Sequence, residues 1–198
     1  MQKIHSSGPA RACDPTLDMA ITGLMAALVF TGTYFFKIPT AFGYTHLGDC
    51  MIILTVCLFG TRRGMLAGAI GAGLSDFIAG YAAWVLPTIV LKGGWALIMG
   101  LIMYRLLPHF KYSWLAGAVT GGIFHVIGYT LVKIPLYGGG VAMAECFTLV
   151  AQTAAGIVLG GVAYTVLSRS PAIRSLLVKL LLYVRKITFF QFFYNFYS

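Results

Sequence analysis

Charged side chains are scarce in this sequence. Only 10% of its 198 residues are Asp, Glu, Lys or Arg, whereas soluble proteins carry about 25%. Hydrophobic residues make up 59% of the chain, and the mean hydropathy is +0.87. A soluble fold cannot cover that much apolar surface, but a lipid bilayer solvates apolar side chains directly. The composition therefore predicts an integral membrane protein.

Several motifs of catalysis and cofactor binding are also missing. There is no G-x-x-x-x-G-K-[ST] motif, so active transport would need an ion gradient or a separate energy-supplying subunit. Without H-E-x-x-H, G-x-S-x-G or an acidic cluster, we predict no catalytic residue, no metal site and no cofactor. The cysteines lack metal-ligand spacing and are interpreted as small packing residues: Cys13, Cys50, Cys57 and Cys146.

Long apolar runs fill most of the chain. A membrane-spanning helix takes about 20 residues, and we predict six such helices, at residues 17–36, 47–60, 65–83, 86–107, 114–134 and 142–167. The predicted connections include a loop with Pro39 and Gly43, a basic turn at 61–64, and a glycine-rich loop at 135–140. We expect an all-α integral membrane protein with one six-helix bundle at residues 17–168.

Basic residues predict the orientation of this bundle. With the N-terminus inside, the inner loops hold Lys3, Arg11, Arg62, Arg63, Arg105, Lys111 and Arg169. The outer loops then hold only Lys37 and Lys133. Positive charge is enriched on the cytoplasmic side, so both termini are predicted to be cytoplasmic. The net charge of +9 is interpreted as contact with membrane lipid, not with nucleic acid.

Two end segments flank the predicted bundle. Residues 1–16 are polar and are expected to form a cytoplasmic N-terminal segment. Residues 169–198 are apolar and aromatic, but four charges argue against a seventh span: Arg174, Lys179, Arg185 and Lys186. We predict a basic amphipathic tail that is cytoplasmic or lies on the inner leaflet.

Ionisable residues within the predicted spans mark a candidate site, because they are costly in a bilayer and usually functional. They are Asp49, Asp76, Lys92, His125 and Glu145, with His46 at the mouth. In the predicted topology His46 and Asp49 lie at the outer surface. Asp76 and Lys92 lie about 10 Å deeper. All are in the outer half, which favours an outward-facing binding cup over a channel or proton relay.

Helical spacing groups these residues with aromatic and polar neighbours. Thr88, Lys92 and Trp95 share one face, as do His125 with Tyr129, and Glu145 with Gln152. Rings and polar groups of this kind suit a flat polar heterocycle. Trp84 is better explained as an interfacial anchor. The predicted substrate-binding residues are Tyr44, His46, Asp49, Asp76, Tyr81, Thr88, Lys92, Trp95, His125, Tyr129, Glu145 and Gln152.

The charged residues also have structural interpretations. Lys92 and Asp76 are predicted at one depth and would form an ion pair as readily as they would contact a ligand. Asp49 would alternatively cap the second helix, and His125 would alternatively be a packing residue. The sequence leaves open which of Lys92, Asp76 and Asp49 are ligand contacts.

Small residues recur four apart in several predicted helices: Gly23 with Ala27, Gly64 with Gly68 (followed by Gly71 and Gly73), Gly117 with Gly121, and Gly156 with Gly160. Such stripes let helices approach closely in lipid. Packing within the bundle explains most of them. The stripe on the first helix would alternatively dock a partner.

An ordered set of segments resembles a known transporter family. Tyr-Thr-His-Leu-Gly-Asp stands at 44–49, Thr-Arg-Arg-Gly at 61–64, Leu-Ser-Asp-Phe at 74–77 and Leu-Lys-Gly at 91–93. Together they resemble the S components of energy-coupling factor (ECF) vitamin importers, of the riboflavin or hydroxymethylpyrimidine type. The resemblance covers roughly residues 17–168.

The resemblance implies a multi-pass protein of a prokaryotic plasma membrane. Such a protein captures one vitamin from outside and works with a transmembrane subunit that carries two ATPases. By this resemblance, residues 37–46 would form the gate, and the first helix would dock its partner through Ala20, Gly23, Leu24 and Ala27. The substrate is expected to be a small vitamin or precursor; Lys92, Asp76 and His125 favour a pyridine or pyrimidine, with flavin-like compounds left open.

Two other functions compete with this expectation. One is a stand-alone secondary transporter, which is disfavoured because the sequence shows no internal repeat of the kind that typical secondary transporters contain. A membrane enzyme would have to use Ser75, Asp76 and His125, the only conceivable nucleophilic set in the sequence.

Overall fold

A computed structural model of the protein describes residues 15–40 and 43–170, which are mainly helical. The described part contains two short strands, β1 (Lys37–Thr40) and β2 (Gly43–His46), and a π-helical turn at Ile102–Leu106. Its α-helices are α1 (Pro15–Tyr34), α2 (Gly48–Phe59), α3 (Thr61–Ile78), α4 (Ala82–Leu101), α5 (Ser113–Tyr137) and α6 (Gly139–Arg169). Residues 1–14 of the predicted N-terminal segment (1–16) and residues 171–198 of the predicted tail (169–198) lie outside the described residues.

The helices form one bundle in which α2 is largely enclosed. Neighbouring helices pack in the order α1, α3, α4, α5, α6 and α2, and α2 also contacts α1, α3 and α4. The core is apolar and is centred on α2, with Ile52, Ile53 and Val56 fully buried against Trp95 and Met99 of α4. A helix that is apolar on all sides is expected to be buried in this way.

Within residues 15–40 and 43–170, four helical segments are long and apolar enough to cross a membrane: Pro15–Tyr34, Ala82–Leu106, Ser113–Tyr137 and Gly139–Arg169. Helix α2 is apolar but has only 12 residues. It is about 18 Å long at the usual helical rise, well short of a hydrocarbon core of about 30 Å. The protein is therefore a helical membrane protein, while the six-span topology stays a prediction.

Two connections differ from the predicted ones. The segment between α1 and α2 is an antiparallel hairpin that pairs Lys37 with His46 and Ile38 with Thr45. The predicted flexible loop at 135–140 is wrong, because α5 continues through Pro135 to Tyr137 and α6 begins at Gly139. Gly138 alone breaks the helix, with φ of 88°. Glycine adopts this left-handed conformation without steric cost.

Most of the small-residue stripes mark close packing inside the bundle, as predicted. A Cβ added to Gly71 of α3 would lie 2.4 Å from the Ala26 carbonyl oxygen of α1. A Cβ added to Gly117 of α5 would lie 2.6 Å from the Met99 carbonyl oxygen of α4. Gly23 is the exception, because a Cβ there would meet nothing within 4 Å.

We predict opposite effects for one methyl group at two of these positions. Gly71→Ala should lower the free energy of unfolding by about 1–3 kcal/mol, because α1 must shift to admit the Cβ. Gly23→Ala should leave it unchanged or raise it by up to about 1 kcal/mol, since alanine is the better helix former. Thermal unfolding in detergent measures both, and equal melting temperatures for the two variants would contradict the packing described here.

Candidate functional site

A cavity opens at the end of the bundle that carries the β1–β2 hairpin. The space between its walls, including the part open to solvent, is about 560 Å³. Residues of every helix except α2 line it, together with the hairpin. The lining residues are Thr33, Tyr44, His46, Asp76, Tyr81, Trp84, Thr88, Lys92, His125, Tyr129, Lys133, Glu145, Leu149 and Gln152.

A buried ion pair lies at the base of the cavity. Lys92 Nζ is 2.5 Å from Asp49 Oδ1, and the two side chains are 1% and 0% exposed. The predicted pairing of Lys92 with Asp76 is therefore wrong, since the salt bridge of Lys92 is with Asp49. The Asp49 carboxylate is also not a helix cap, because no side-chain hydrogen bond caps α2.

The protonation of His125 follows from its neighbours. Thr153 Oγ1 donates its hydrogen to the Leu149 carbonyl oxygen, so it accepts from His125 Nδ1 at 3.0 Å. His125 Nε2 then keeps a lone pair, which accepts a hydrogen bond from Lys92 Nζ at 2.8 Å. The ammonium of Lys92 is thus held between a carboxylate and a neutral imidazole.

Asp49 lies deep in the bundle, and its predicted place at the outer surface is wrong. Close approach at two glycines explains its depth. A Cβ at Gly48 would lie 2.0 Å from Thr33 Oγ1 of α1, and one at Gly156 would lie 2.8 Å from the Asp49 Cβ of α2. Because α1 and α6 meet the first turn of α2 so closely, the short helix starts inside the protein and carries its carboxylate with it.

The hairpin is tied to the walls of the cavity by side-chain hydrogen bonds. The Tyr44 hydroxyl donates to Asp76 Oδ1 on α3. Thr45 Oγ1 donates to Gln152 Oε1 on α6 at 2.8 Å. Gln152 Nε2 in turn donates to Asp49 Oδ2 at 2.8 Å. The hairpin is therefore connected through Gln152 to the buried ion pair.

Two titratable groups of the hairpin are shifted toward their neutral forms. Burial lowers the pKa of His46 to about 4, and the positive charge of Lys92 adds to this effect while Asp49 opposes it. His46 is consequently uncharged at neutral pH, and its Nδ1 accepts a hydrogen bond from the Gly48 N–H at 3.2 Å. Burial and the nearby Asp76 raise the pKa of Tyr44, so its hydroxyl stays a donor.

Aromatic rings form one wall of the cavity. Trp84 stacks on Tyr129, with ring centroids 5.6 Å apart, and on Tyr137, at 6.2 Å. Its indole N–H donates to the Tyr137 hydroxyl at 3.1 Å. Because Trp84 is only 9% exposed, its interpretation as an interfacial anchor is wrong. Below this wall, Trp95 stacks under His125 at 4.7 Å.

A second ion pair, missed in the sequence, lies at the rim. Lys133 Nζ of α5 is 2.5 Å from Glu145 Oε2 of α6. Lys133 is a buried residue of α5, so its assignment to an outer loop is wrong. Helical spacing in the sequence could have identified both Lys133 and Trp84 as cavity residues. Lys133 is four residues after Tyr129, and Trp84 is four residues before Thr88, on the faces already selected.

Ten of the twelve predicted substrate-binding residues line the cavity. The other two, Asp49 and Trp95, lie behind the lining, where they hold Lys92 and His125. Among the described residues, no group of three or more His, Cys, Asp and Glu side chains is arranged to hold a metal ion. Ser75 is fully buried outside the lining, and His125 is bonded to Lys92 and Thr153, which argues against a nucleophile–base pair.

The predicted docking residues share one outward face of α1. Ala20, Gly23, Leu24 and Ala27 are all exposed, and Leu24 is 56% exposed. The opposite face of α1 is buried through Ile21, Met25 and Val29. The bundle itself therefore leaves this stripe of small residues uncovered.

Comparison with known proteins agrees with this architecture. A family model described as the S component of an ECF-type riboflavin transporter matches residues 15–169. The thiamine precursor transporter HmpT of Lactococcus lactis subsp. cremoris (strain MG1363) is 31% identical over 155 residues, 77% of this chain and 88% of that protein. An uncharacterized protein of Pyrococcus woesei is 41% identical over 124 residues, 63% of this chain and 82% of that protein.

A solved structure described under "Structure and mechanism of the S component of a bacterial ECF transporter" has the same fold. Its TM-score is 0.58 at 17% identity, and the match covers 79% of this chain and 95% of that one. The family model is that of a transporter component. The chain belongs to the family of ECF-type riboflavin transporter S components.

Proposed function

We propose that this protein is the substrate-binding subunit of an ECF-type importer in a prokaryotic plasma membrane. It captures a small water-soluble vitamin or vitamin precursor from outside and delivers it inward with an ATP-driven module. The observation that carries the proposal is a polar cavity confined to the hairpin end of the bundle. It has the form of a cup and not of a channel.

The apolar core beneath the cavity supports the interpretation of the cavity as a binding cup that is closed at its inner end. Below Lys92 and His125 the described residues pack into an apolar cluster that includes Ile53, Val56 and Met99. A channel or proton relay needs polar groups or water through its full depth. The charges at the opposite end, such as the ion pair of Arg63 with Asp18, are separated from the cavity by that apolar layer.

The lining chemistry suits a flat heterocycle. Trp84 and Tyr129 offer ring faces, and Lys92, Gln152 and Thr88 offer donors and acceptors for the edges of a ring. Small-molecule sites commonly combine apolar walls with a few placed polar groups. A pyridine or pyrimidine fits this set, and a relative named as a thiamine precursor transporter supports that class. A flavin-like ligand is the other candidate, because the family model is of the riboflavin type.

The proposed partners are an ECF transmembrane subunit and two ATPase subunits. The chain has no P-loop motif, so ATP hydrolysis must take place in other subunits. The exposed small residues of α1 offer a surface for close helix contact in lipid. In this arrangement six helical segments cross the membrane, both termini are cytoplasmic and the hairpin faces outward.

Uptake assays separate this proposal from a stand-alone secondary transporter. Cells that lack their own vitamin importers would express the protein alone or with an ECF module. Labelled thiamine precursor and labelled riboflavin would be supplied in turn. We expect uptake of one of them only when the module is present. Uptake of equal rate without the module would favour the secondary transporter.

A further inference from the structure

Three carboxylates lie at the cavity, and two of them are held in ion pairs. Two ammonium groups, of Lys92 and Lys133, are each paired with a carboxylate, of Asp49 and Glu145. Asp76 is a third carboxylate, and among the described residues it forms no salt bridge. Of the three carboxylates at the cavity, Asp76 is thus the one without a cation at ion-pair distance among the described residues.

Asp76 faces the cavity and is otherwise well shielded. It is 6% exposed and belongs to the lining. Its Oδ1 accepts a hydrogen bond from the Tyr44 hydroxyl of the hairpin. Thr88, which accepts a hydrogen bond from the Tyr129 hydroxyl at 2.8 Å, lies beside it. The carboxylate is thus placed next to the aromatic wall of Trp84 and Tyr129, at the edge of the space that a stacked ring would fill.

We propose that Asp76 is the specificity-determining residue of the cavity and selects a ring whose edge carries hydrogen-bond donors, as an aminopyrimidine does. The inference rests on the proposed function and narrows its substrate class. An ionised carboxylate only accepts hydrogen bonds. An amino group, together with a protonated ring nitrogen beside it, matches its two oxygens. A carbonyl at the same ring position would bring two acceptors together and leave both unsatisfied.

In this proposal the Tyr44 hydroxyl occupies the hydrogen-bonding position at Asp76 that the ligand takes on binding. It supplies the donor that Asp76 needs when the cavity is empty, and the ligand's amino group replaces it on binding. Because Tyr44 belongs to the hairpin, this exchange releases the hydrogen bond between the hairpin and α3, while the bond of Thr45 to Gln152 on α6 is kept. Recognition at Asp76 and movement of the hairpin are coupled in this way.

Isothermal titration calorimetry on the full chain in detergent tests the inference with two matched probes. One is the hydroxymethylpyrimidine precursor of thiamine, which carries a ring amino group. The other is its analogue with an oxo group in place of the amino group. We expect the wild-type protein to bind the amino probe about 10- to 100-fold more tightly, as a charge-assisted hydrogen bond implies.

Asp76→Asn should reduce or reverse this preference, because the new amide donates to an oxo group. The matched control is Asp18→Asn, which removes a carboxylate paired with Arg63 at the opposite end and should keep the wild-type preference. Tyr44→Phe provides a second variant if Asp76→Asn does not fold. It keeps the carboxylate and removes the competing hydroxyl, so the preference for the amino probe should persist with equal or higher affinity.

The outcomes distinguish this inference from the function on which it rests. Equal binding of the two probes by the wild type, or an unchanged preference in Asp76→Asn, overturns the role of Asp76. Binding of riboflavin without either pyrimidine also overturns it, but leaves the importer function standing. Absence of binding for all three compounds contradicts both proposals.

Discussion

Lys92→Ala is expected to abolish measurable ligand binding and to lower the free energy of unfolding by about 3–5 kcal/mol. The variant leaves the Asp49 carboxylate fully buried without its cation. It also removes the donor to His125 Nε2, so that a buried carboxylate and an imidazole of the lining lose a partner at once. Thermal unfolding and titration with a vitamin ligand measure the two effects on the same sample.

Two further variants show whether the losses of stability and of ligand binding come from breaking the Lys92–Asp49 ion pair. Arg62→Ala removes an exposed cation far from the cavity and should change neither stability nor affinity measurably. The double variant Lys92→Met with Asp49→Leu removes both charges and should recover most of the lost stability, since apolar residues replace buried ion pairs well. It should not recover binding. Equal affinities for Lys92→Ala and Arg62→Ala would falsify the cup as described.

Ala27→Trp is expected to lower the rate of uptake by at least about tenfold, while the ligand affinity stays at the wild-type value. Ala27 lies on the exposed face of α1, away from the cavity lining. A large ring there would hold a partner helix away from the small residues that permit close contact. Uptake with the ECF module and calorimetry on the isolated protein measure transport and binding separately.

The control for this variant is a large residue on another exposed face. Val158 of α6 is 62% exposed, and Val158→Trp should affect neither uptake nor binding if that face meets only lipid. Loss of binding in Ala27→Trp would instead show that α1 is needed for packing. Normal uptake in Ala27→Trp would remove α1 as the docking face.

Much of the fold and of the site was predictable because both depend on local periodicity. Apolar runs of membrane length identified the helices to within a few residues at most ends. The helical spacing of Thr88 with Lys92, and of His125 with Tyr129, placed each pair correctly on one wall of the cavity. The same rule, extended by one turn, selects Trp84 and Lys133.

The sequence did not predict contacts that depend on distant parts of the chain. Lys92 forms its ion pair with Asp49 and not with Asp76, because Gly48 and Gly156 allow α1 and α6 to pack closely against the first turn of α2. No local pattern encodes that approach. The hairpin was also missed, since Pro39 and Gly43 are typical of an irregular loop, and its bonds to Asp76 and Gln152 join residues 32 and 107 positions apart.

Native mass spectrometry of protein purified gently from its host membrane tests the central claim most directly. The account predicts a co-purified ligand with the mass of a B vitamin or its precursor, and the loss of that mass in Lys92→Ala but not in Arg62→Ala. Larger subunits carried by the same particle would identify the importer module as well. A protein that is both empty and solitary, and that stays empty when incubated with the thiamine precursor and riboflavin, would contradict the account.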